Sequence, residues 1–392
     1  MSTGHRIVVL GAGYTGMFSA IRLAHRTRRT GVEITLVNPS GRFVERLRMH
    51  QIAAGQELPH HRIADLLDGT GVTFVQGAAT AIDPEARRIT VDGTTPLAYD
   101  TLVYALGSST DTGNAPGADA HAFTLNSPET AGRFAARLTE LAAAGGTVTV
   151  CGGGLTGIEA ATEIAEAHPG LDITLISTQE PGAMMGDKAR AYLHRVLDRL
   201  RITRETGVRV EKVLPDAVEL ADGRVLRSDA CLWTTGVRVS PLAADAGIAT
   251  DQRGLILTDT TLRSVSHPDI HAVGDAAAIT MDFGQLHGSC QSGLPTAQYT
   301  ADTIARLVHG KNVKPFRFGY FHQPLSLGRK DAVIQFTKAD FTPSRLRLTG
   351  RSAAWYKELV SGSPLTTYRY SKRMNMTTFV SKRGSATPRP AA

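Results

Sequence analysis

An α/β fold made from one unit used twice is predicted by three features of this 392-residue sequence. A short apolar strand near the N-terminus runs into a Gly-x-Gly-x-x-Gly turn and then a helix. The same order returns from Thr147 onward. Each copy is followed by a hairpin with an Asp-Gly turn and by a closing apolar strand that ends on glycine. A repeated order of this kind is far more specific than either glycine pattern alone.

The first copy opens with Arg6-Ile7-Val8-Val9-Leu10, a run whose length and branched side chains suit a strand. Gly11-Ala12-Gly13-Tyr14-Thr15-Gly16 follows, then a stretch with Met17, Ile21 and Ala24 on one helical face, then a strand over 33–37. Closing a strand, opening a helix and leading to another strand makes this turn a dinucleotide fingerprint. Gly11 allows the tight turn, Gly13 lets the backbone approach a pyrophosphate, and Gly16 brings helix and strand together. The exposed N–H groups at the helix start then hold the anion, with Tyr14 and Thr15 among them. The residue ending the second strand is ordinarily an acid that binds ribose hydroxyls. Here it is Asn38, which hydrogen-bonds a hydroxyl more weakly because it is neutral.

Beyond Pro39, Arg42, Glu45, Arg46 and Arg48 crowd one loop. Two readings stand: they reach a pyrophosphate or an active site, or they form a solvated face. Residues 72–75 read as a strand leaving through Gln76-Gly77-Ala78-Ala79, and 88–91, Asp92-Gly93 and 97–99 as a hairpin. The closing strand ends in Ala105-Leu106-Gly107, and Gly113, Pro116 and Gly117 mark a crossing to the next domain.

The second copy has a strand over 147–151, the turn Gly152-Gly153-Gly154-Leu155-Thr156-Gly157, a helix over 158–167 and a strand over 172–176 leading to Ser177. A basic helix over 188–200, short strands, Asp222-Gly223 and a closing strand ending at Gly236 complete it. Ala272-Val273-Gly274-Asp275 then ends a short strand on a carboxylate that can meet a sugar-alcohol hydroxyl. A helix over 293–307 carries Pro295, Ala297 and Gln298 near its start. From Pro315 onward Phe316, Phe318, Tyr320, Phe321 and the alternating Val333 and Gln335 suggest an antiparallel sheet. The expected fold is thus two tandem Rossmann-like, three-layer dinucleotide-binding domains with a smaller C-terminal α+β domain. The expected boundaries are 1–112 with 242–314, 113–241, and 315–392.

Composition agrees with that class: 42% hydrophobic residues, 20% charged and 39 glycines describe a globular α/β chain. No run of eighteen apolar residues exists to span a bilayer, and the first strand begins too early to leave room for a signal peptide. Three scattered cysteines without a disulfide framework point to a reducing cytoplasm. The net charge of +7 comes partly from Arg369, Lys372, Arg373, Lys382, Arg383 and Arg389. No nucleic-acid motif accompanies these residues, so a solvated basic tail is the expectation. Trp355, Tyr356, Leu359 and Val360 cluster, but Ser361-Gly362-Ser363-Pro364 is expected to end their helix. With Met374, Met376 and Phe379 beyond it, the tail suits at most weak, salt-sensitive contact with an anionic membrane surface.

The ordering of these motifs resembles the two-dinucleotide-binding-domain flavoproteins, the pyridine nucleotide-disulfide oxidoreductases. Within them it is most similar to the type II NADH:quinone dehydrogenases, over essentially the whole chain to about Phe341. The resemblance implies that Gly11, Gly13 and Gly16 bind FAD, and that Ala105-Leu106-Gly107 matches an Ala-Thr-Gly motif. It implies that Gly274 and Asp275 meet the ribityl chain, with Asn38, Arg46, Ala79 and Ala297 also on the FAD side. Gly152, Gly154, Gly157, Ser177 and Gly236 would take NADH or NADPH. Leu232-Trp233-Thr234-Thr235-Gly236-Val237 is similar to a Trp-Thr-Ala-Gly-Val segment of the same enzymes. Glu159 matches a family glutamate placed near nicotinamide and flavin; the other reading is an ordinary first-turn acid favoured by the helix dipole.

Of the quinone-site pattern Ala-Gln-x-Ala-x-Gln only Ala297 and Gln298 remain, with Thr300 and Asp302 in the later places. The implied activity is hydride transfer from NAD(P)H through flavin to a quinone or quinone-like acceptor. A specialised metabolite as substrate, or a low-turnover redox sensor binding a partner, are the alternatives. The redox cysteine pair of the disulfide reductases is absent: Cys151 and Cys231 read as core. Cys290, expected in a loop before the last Rossmann helix, is the only thiol with an active-site address. No metal ligands are assigned, and a homodimer is compatible with the pattern.

Overall fold

The computed structural model describes residues 4–378 and 384–388. Phe379, Lys382, Arg383 and Arg389 of the tail lie outside them. Each fingerprint sits in a five-stranded, wholly parallel sheet. The first sheet runs in the order Ile270–Ala272, Thr101–Tyr104, Arg6–Leu10, Glu33–Asn38, Thr73–Gln76. The second runs Ala122–Phe123, Ala230–Trp233, Thr147–Cys151, Asp172–Ser177, Thr203–Thr206.

Successive side chains of a strand point to opposite faces, so a strand covered on both sides must be apolar throughout. Ile7 and Val9 pack with Met17, Phe18 and Ile21 of the helix Tyr14–Thr27. Val8 and Leu10 face Ile82, Ile89 and Val91 of a three-stranded antiparallel hairpin sheet. In the second unit Val148 and Val150 pack on Ile158, Ala161 and Ile164 of the helix Leu155–Ala167. Cys151 and Cys231 face Val218 and Leu220 of the equivalent hairpin sheet. Helix, parallel sheet and antiparallel sheet thus form three layers twice, as the repeated order predicts.

Two expectations about the C-terminal third need correction. Phe316, Phe318 and Tyr320 do not join the main antiparallel sheet there: Arg317–Phe318 pairs antiparallel only with Ser385–Ala386, and the three rings fill the core of the first unit with Leu102, Tyr104 and Ile270. The C-terminal sheet is instead His322–Ser326, Ala332–Thr337 and Pro343–Thr349. The following helix is also not ended by Ser361-Gly362-Ser363-Pro364, for it runs unbroken from Gly350 to Ser371. Pro364 lacks the N–H that would bond the Val360 carbonyl. The Ser363 hydroxyl donates to that carbonyl instead, at 2.8 Å. Packing supplies the rest: Pro364 and Tyr368 are buried, and Tyr368 stands edge-on to Phe43 at 5.7 Å between ring centres. Its hydroxyl donates to the Tyr14 carbonyl at 2.8 Å, joining the helix to the first fingerprint.

Tyr368→Phe should therefore cost about 1 kcal/mol and Tyr368→Ala about 3–5 kcal/mol. In the alanine variant, trypsin should cut at Arg369 and Arg373 well before the rest of the chain is digested. A second outcome concerns acid. Burial holds the imidazoles of His50, His271 and His322 down at about 4, about 3 and about 4. The unfolded chain protonates these groups near pH 6.5 and the folded chain does not, so the unfolded state binds the extra protons. Stability should fall as pH drops from 6.5 toward 4, by up to about 1.4 kcal/mol per pH unit for each histidine. Denaturant midpoints across that range check the slope, and His271→Gln should remove one histidine's share.

Candidate active site

The six fingerprint glycines fall into three geometric roles, repeated in the two turns. Gly11 and Gly152 have φ of +94° and +124°, conformations that a side chain rarely adopts. A Cβ on Gly16 would run into the Gly11 carbonyl oxygen, and one on Gly157 into that of Gly152. Gly13 and Gly154 face open space, with nothing within 4 Å of where a Cβ would stand. Each turn therefore presents bare backbone at the start of a helix whose first residues have no side-chain cap. That is the cradle a dinucleotide pyrophosphate needs.

Around the first cradle the chain brings distant segments together. Thr15 packs against Gly274 and Gly293, where side chains would collide with its methyl group. The Gly274 N–H donates to Thr296 Oγ1 at 3.0 Å, fixing the turn that carries Asp275. Asp275 accepts a hydrogen bond from Ser108 Oγ at 2.7 Å, and the Arg46 guanidinium bonds the Ser108 carbonyl. Ser108 was missed in the sequence, although it directly follows Gly107, whose φ is +67°. Ala105 packs under the turn, with its carbonyl beside Gly11. Ala79 begins a hairpin strand on the far side of the sheet. Asn38 is turned inward: its Oδ1 accepts from the Ala12 N–H at 3.0 Å and its Nδ2 donates to the Ser40 carbonyl at 2.8 Å. The amide that was expected to meet a ribose thus shapes the glycine turn.

Around the second cradle, Ser177 lies buried beneath Gly153 and accepts from the Gln179 N–H at 3.3 Å. Gly236 has φ of +76° and packs on Asp111 and Asn114 of the linker. Trp233 Nε1 donates to the Asp111 carbonyl at 2.8 Å.

Glu159 is not a first-turn acid on a solvated helix end. Its helix begins at Leu155, so Glu159 lies a full turn inside, where it is 7% exposed. Lys357 Nζ stands 2.7 Å from Oε1, and the Ser326 N–H donates to the same oxygen at 3.1 Å. Burial by itself would raise this carboxyl. The Lys357 charge and the hydrogen bonds from Lys357 and Ser326 outweigh it and hold the group below its ordinary value. His50 Nδ1 is 3.8 Å from Oε2, but its own burial keeps the ring neutral at pH 7, so Lys357 is the counter-ion. In the loop over 42–48, Arg46 is exposed, but Glu45 and Arg48 are not part of a solvated face. Arg48 pairs with Glu45 at 3.3 Å and with Glu358 of the C-terminal helix, and His61 lies 3.6 Å from Glu45.

Gln298 is 1% exposed and its Oε1 accepts from Thr378 N–H at 2.6 Å and Thr378 Oγ1 at 3.1 Å. Asp302, in the place of the second glutamine, pairs with Arg22 at 2.8 Å and Arg26 at 3.2 Å. The remaining glutamine of the quinone pattern and the acid that replaces the second one are thus both engaged by the protein itself. Cys290 is not in a loop: it is the first residue of the helix Cys290–Val308, which Ser289 caps by accepting from the Ser292 N–H. That cap is legible in the sequence as a serine three residues before another. Burial, followed by the nearby Asp275 charge, pushes the Cys290 thiol up to about 12. Cys151 and Cys231 are buried, with 3.6 Å between their sulfurs. Among the described residues, no cluster of His, Cys, Asp or Glu could hold a metal ion. Iodoacetamide at pH 8 should therefore leave all three thiols largely unlabelled in the folded protein, Cys151 and Cys231 because they are buried and Cys290 because the reactive thiolate is disfavoured. Rapid labelling of Cys290, read by peptide mass spectrometry, would contradict this.

The model of the family described as pyridine nucleotide-disulphide oxidoreductase matches residues 5–301. An NADH dehydrogenase-like protein of Mycobacterium tuberculosis is 30% identical over 347 residues, which cover 84% of this chain and 87% of that one. A type II NADH:quinone oxidoreductase of Staphylococcus epidermidis is 26% identical, covering 91% of this chain and 94% of that one. Among solved structures, the sulfide:quinone oxidoreductase of Aquifex aeolicus superposes with a TM-score of 0.83 at 19% identity, covering 94% and 92% of the two chains. With two duplicated glycine cradles, a buried Glu159 beside the second and this match over most of its length, the chain belongs to the pyridine nucleotide-disulphide oxidoreductase family.

Proposed function

We propose that this protein is an FAD-dependent NAD(P)H dehydrogenase whose acceptor is a quinone or quinone-like aromatic. The observation that carries the reading is the pair of open glycine cradles, at Gly13 and Gly154, set at the ends of two parallel sheets. The names of the relatives, an NADH dehydrogenase-like protein and an NADH:quinone oxidoreductase, support it. In this reading residues 1–112 with 242–314 hold FAD, 113–241 hold the nicotinamide, and 315–392 close the site. Gly11, Gly13, Tyr14, Thr15 and Gly16 meet the FAD pyrophosphate, and Arg46, Ala105, Gly107, Gly274 and Asp275 line the rest. Gly152, Gly154, Gly157, Ser177 and Gly236 receive NADH or NADPH.

When bound, FAD supplies the chemistry, accepting hydride from the nicotinamide and passing two electrons on. The chain's own residues position and shield. Glu159, held ionised by Lys357 and Ser326, fixes the edge of the nicotinamide cradle and keeps a charge where water is excluded. Arg46, Ser108 and Asp275 form a hydrogen-bonded chain that orients the Asp275 carboxylate. With the Cys290 thiol pushed up by desolvation, turnover in this reading needs no disulfide.

No helix among the described residues is long and apolar enough to cross a membrane. Leu359 and Tyr370 are exposed along the C-terminal helix and Met374 just beyond its end, with Arg369 and Arg373 beside them. We take this stripe as a weak, salt-sensitive contact with the anionic inner face of a membrane, made by an otherwise cytoplasmic protein. A homodimer is compatible with this arrangement.

The heat-denatured supernatant of fresh protein should contain FAD, and NADH should be oxidised with added menadione. FMN alone, or no turnover, would sink the proposal. Gly13→Glu should fold with an unchanged far-UV spectrum, because its Cβ meets nothing, yet lose the yellow flavin absorbance. Glu159→Gln should slow flavin reduction by about tenfold to a hundredfold. By stranding Lys357 in the interior, it should also lower stability by about 3–5 kcal/mol.

A further inference from the structure

A cleft of ≈300 Å³ opens between the loop after strand His322–Ser326 and the start of the C-terminal helix. Its floor includes Ser326 and Lys357, the two residues bonded to Glu159. Glu159 lies one turn inside the helix that starts at the second cradle, so the cleft backs onto that helix.

Its charges do not cancel. Arg329, Lys330, Arg351 and Lys357 line it against Asp331 and Glu358. Both acids are already engaged: Asp331 by Arg199 at 2.8 Å and by the Tyr192 hydroxyl, Glu358 by Arg48 and by Arg329 at 3.5 Å. The acids behind the cleft are engaged too, Glu163 by Gln56 and Arg329, Glu166 by the Arg329 N–H. Lys330 and Arg351 make no ion pair among the described residues. Arg351 lies in the first turn of a 22-residue helix that has no side-chain cap and no acid in that turn, so the helix start adds positive potential. One turn on, on the same face, Trp355 is 69% exposed at the rim of the cleft. An aromatic plane beside unpaired cations suits a flat, negatively charged ring system. The site a lipid quinone would use is meanwhile occupied on its Gln298 side by Thr378.

We propose that this cleft receives the electron acceptor, and that the acceptor is a small anionic aromatic quinone, one carrying a carboxylate or similar group, rather than an uncharged lipid quinone. This deepens the dehydrogenase reading above and rests on it. NADH gives two electrons and one proton as hydride, a second proton comes from solvent, and the quinone leaves as hydroquinone with NAD⁺ as co-product. Lys330 and Arg351 bind the anionic substituent, and Trp355 stacks on the ring.

The test compares the holoenzyme with the variants Lys330→Glu, Arg351→Glu and their double. The acceptors are 1,4-naphthoquinone-2-sulfonate and menadione, at low and high salt. The KM for the sulfonate should rise about tenfold in the double variant while that for menadione changes less than twofold, and salt should erase the difference. Equilibrium binding gives a reading that needs no turnover: the sulfonate should quench tryptophan fluorescence in the wild type and much less in Trp355→Phe. Equal shifts for both acceptors, or no quenching at Trp355, would overturn the proposal. Loss of co-sedimentation with phosphatidylglycerol vesicles, with the sulfonate KM unmoved, would assign these charges to lipid and equally overturn it. If wild-type holoenzyme oxidises NADH with neither acceptor yet binds the sulfonate at Trp355, the dehydrogenase reading fails and the binding site stands.

Discussion

Glu159 and Lys357 are the contact on which the rest of this structure depends. A carboxylate inside a helix, away from water, persists in charged form only with a counter-ion and hydrogen bonds at hand. Here the counter-ion comes from the C-terminal helix, one hydrogen bond from the strand His322–Ser326, and a neutral imidazole from His50 fills the remaining side. Four stretches far apart in sequence therefore have to assemble before the charge is satisfied. The demand ties the second dinucleotide cradle to the C-terminal region, and it places an ionised group at the edge of that cradle without opening it to water.

The C-terminal helix carries this demand along its length. Its first half supplies Lys357 to the second unit, and its second half supplies Tyr368 to the first. Tyr368 closes on Tyr14, Phe18 and Phe43, so the turn that would hold the FAD pyrophosphate is braced from the same helix. Beyond it, Met376 and Thr378 lie on Arg22 and Gln298. One element thus bridges both cradles. Ser363 and Thr366 interrupt the exposed apolar stripe the helix leaves between Leu359 and Tyr370.

Charge is distributed to the same end. Around the cleft Glu159, Glu163, Glu166, Asp331 and Glu358 are each matched by an arginine, a lysine or a backbone N–H, and the surplus cations collect by Trp355. The thiols are treated in the opposite way: Cys151 and Cys231 are buried among apolar neighbours, and desolvation beside the Asp275 charge pushes the Cys290 thiol up. Redox work is left to the bound cofactors, and the protein's own sulfur is kept out of it.

Both three-layer units were legible in the sequence, because what defines them is local. A glycine turn needs a positive φ at Gly11 and Gly152 and bare space at Gly16 and Gly157, and only glycine meets these needs. Strands covered on both faces must be apolar at every position, and an Asp-Gly pair turns a hairpin whatever surrounds it. The continuation of the C-terminal helix through Pro364 was not legible, since the break is offset by Ser363 locally and by the burial of Tyr368 against residues 14–43. The partners of Glu159, the inward turn of Asn38 and the capture of Gln298 by Thr378 were hidden for the same reason. Backbone conformation is set by neighbours in the chain, whereas the partner of a buried polar side chain is set by whichever distant segment packs against it.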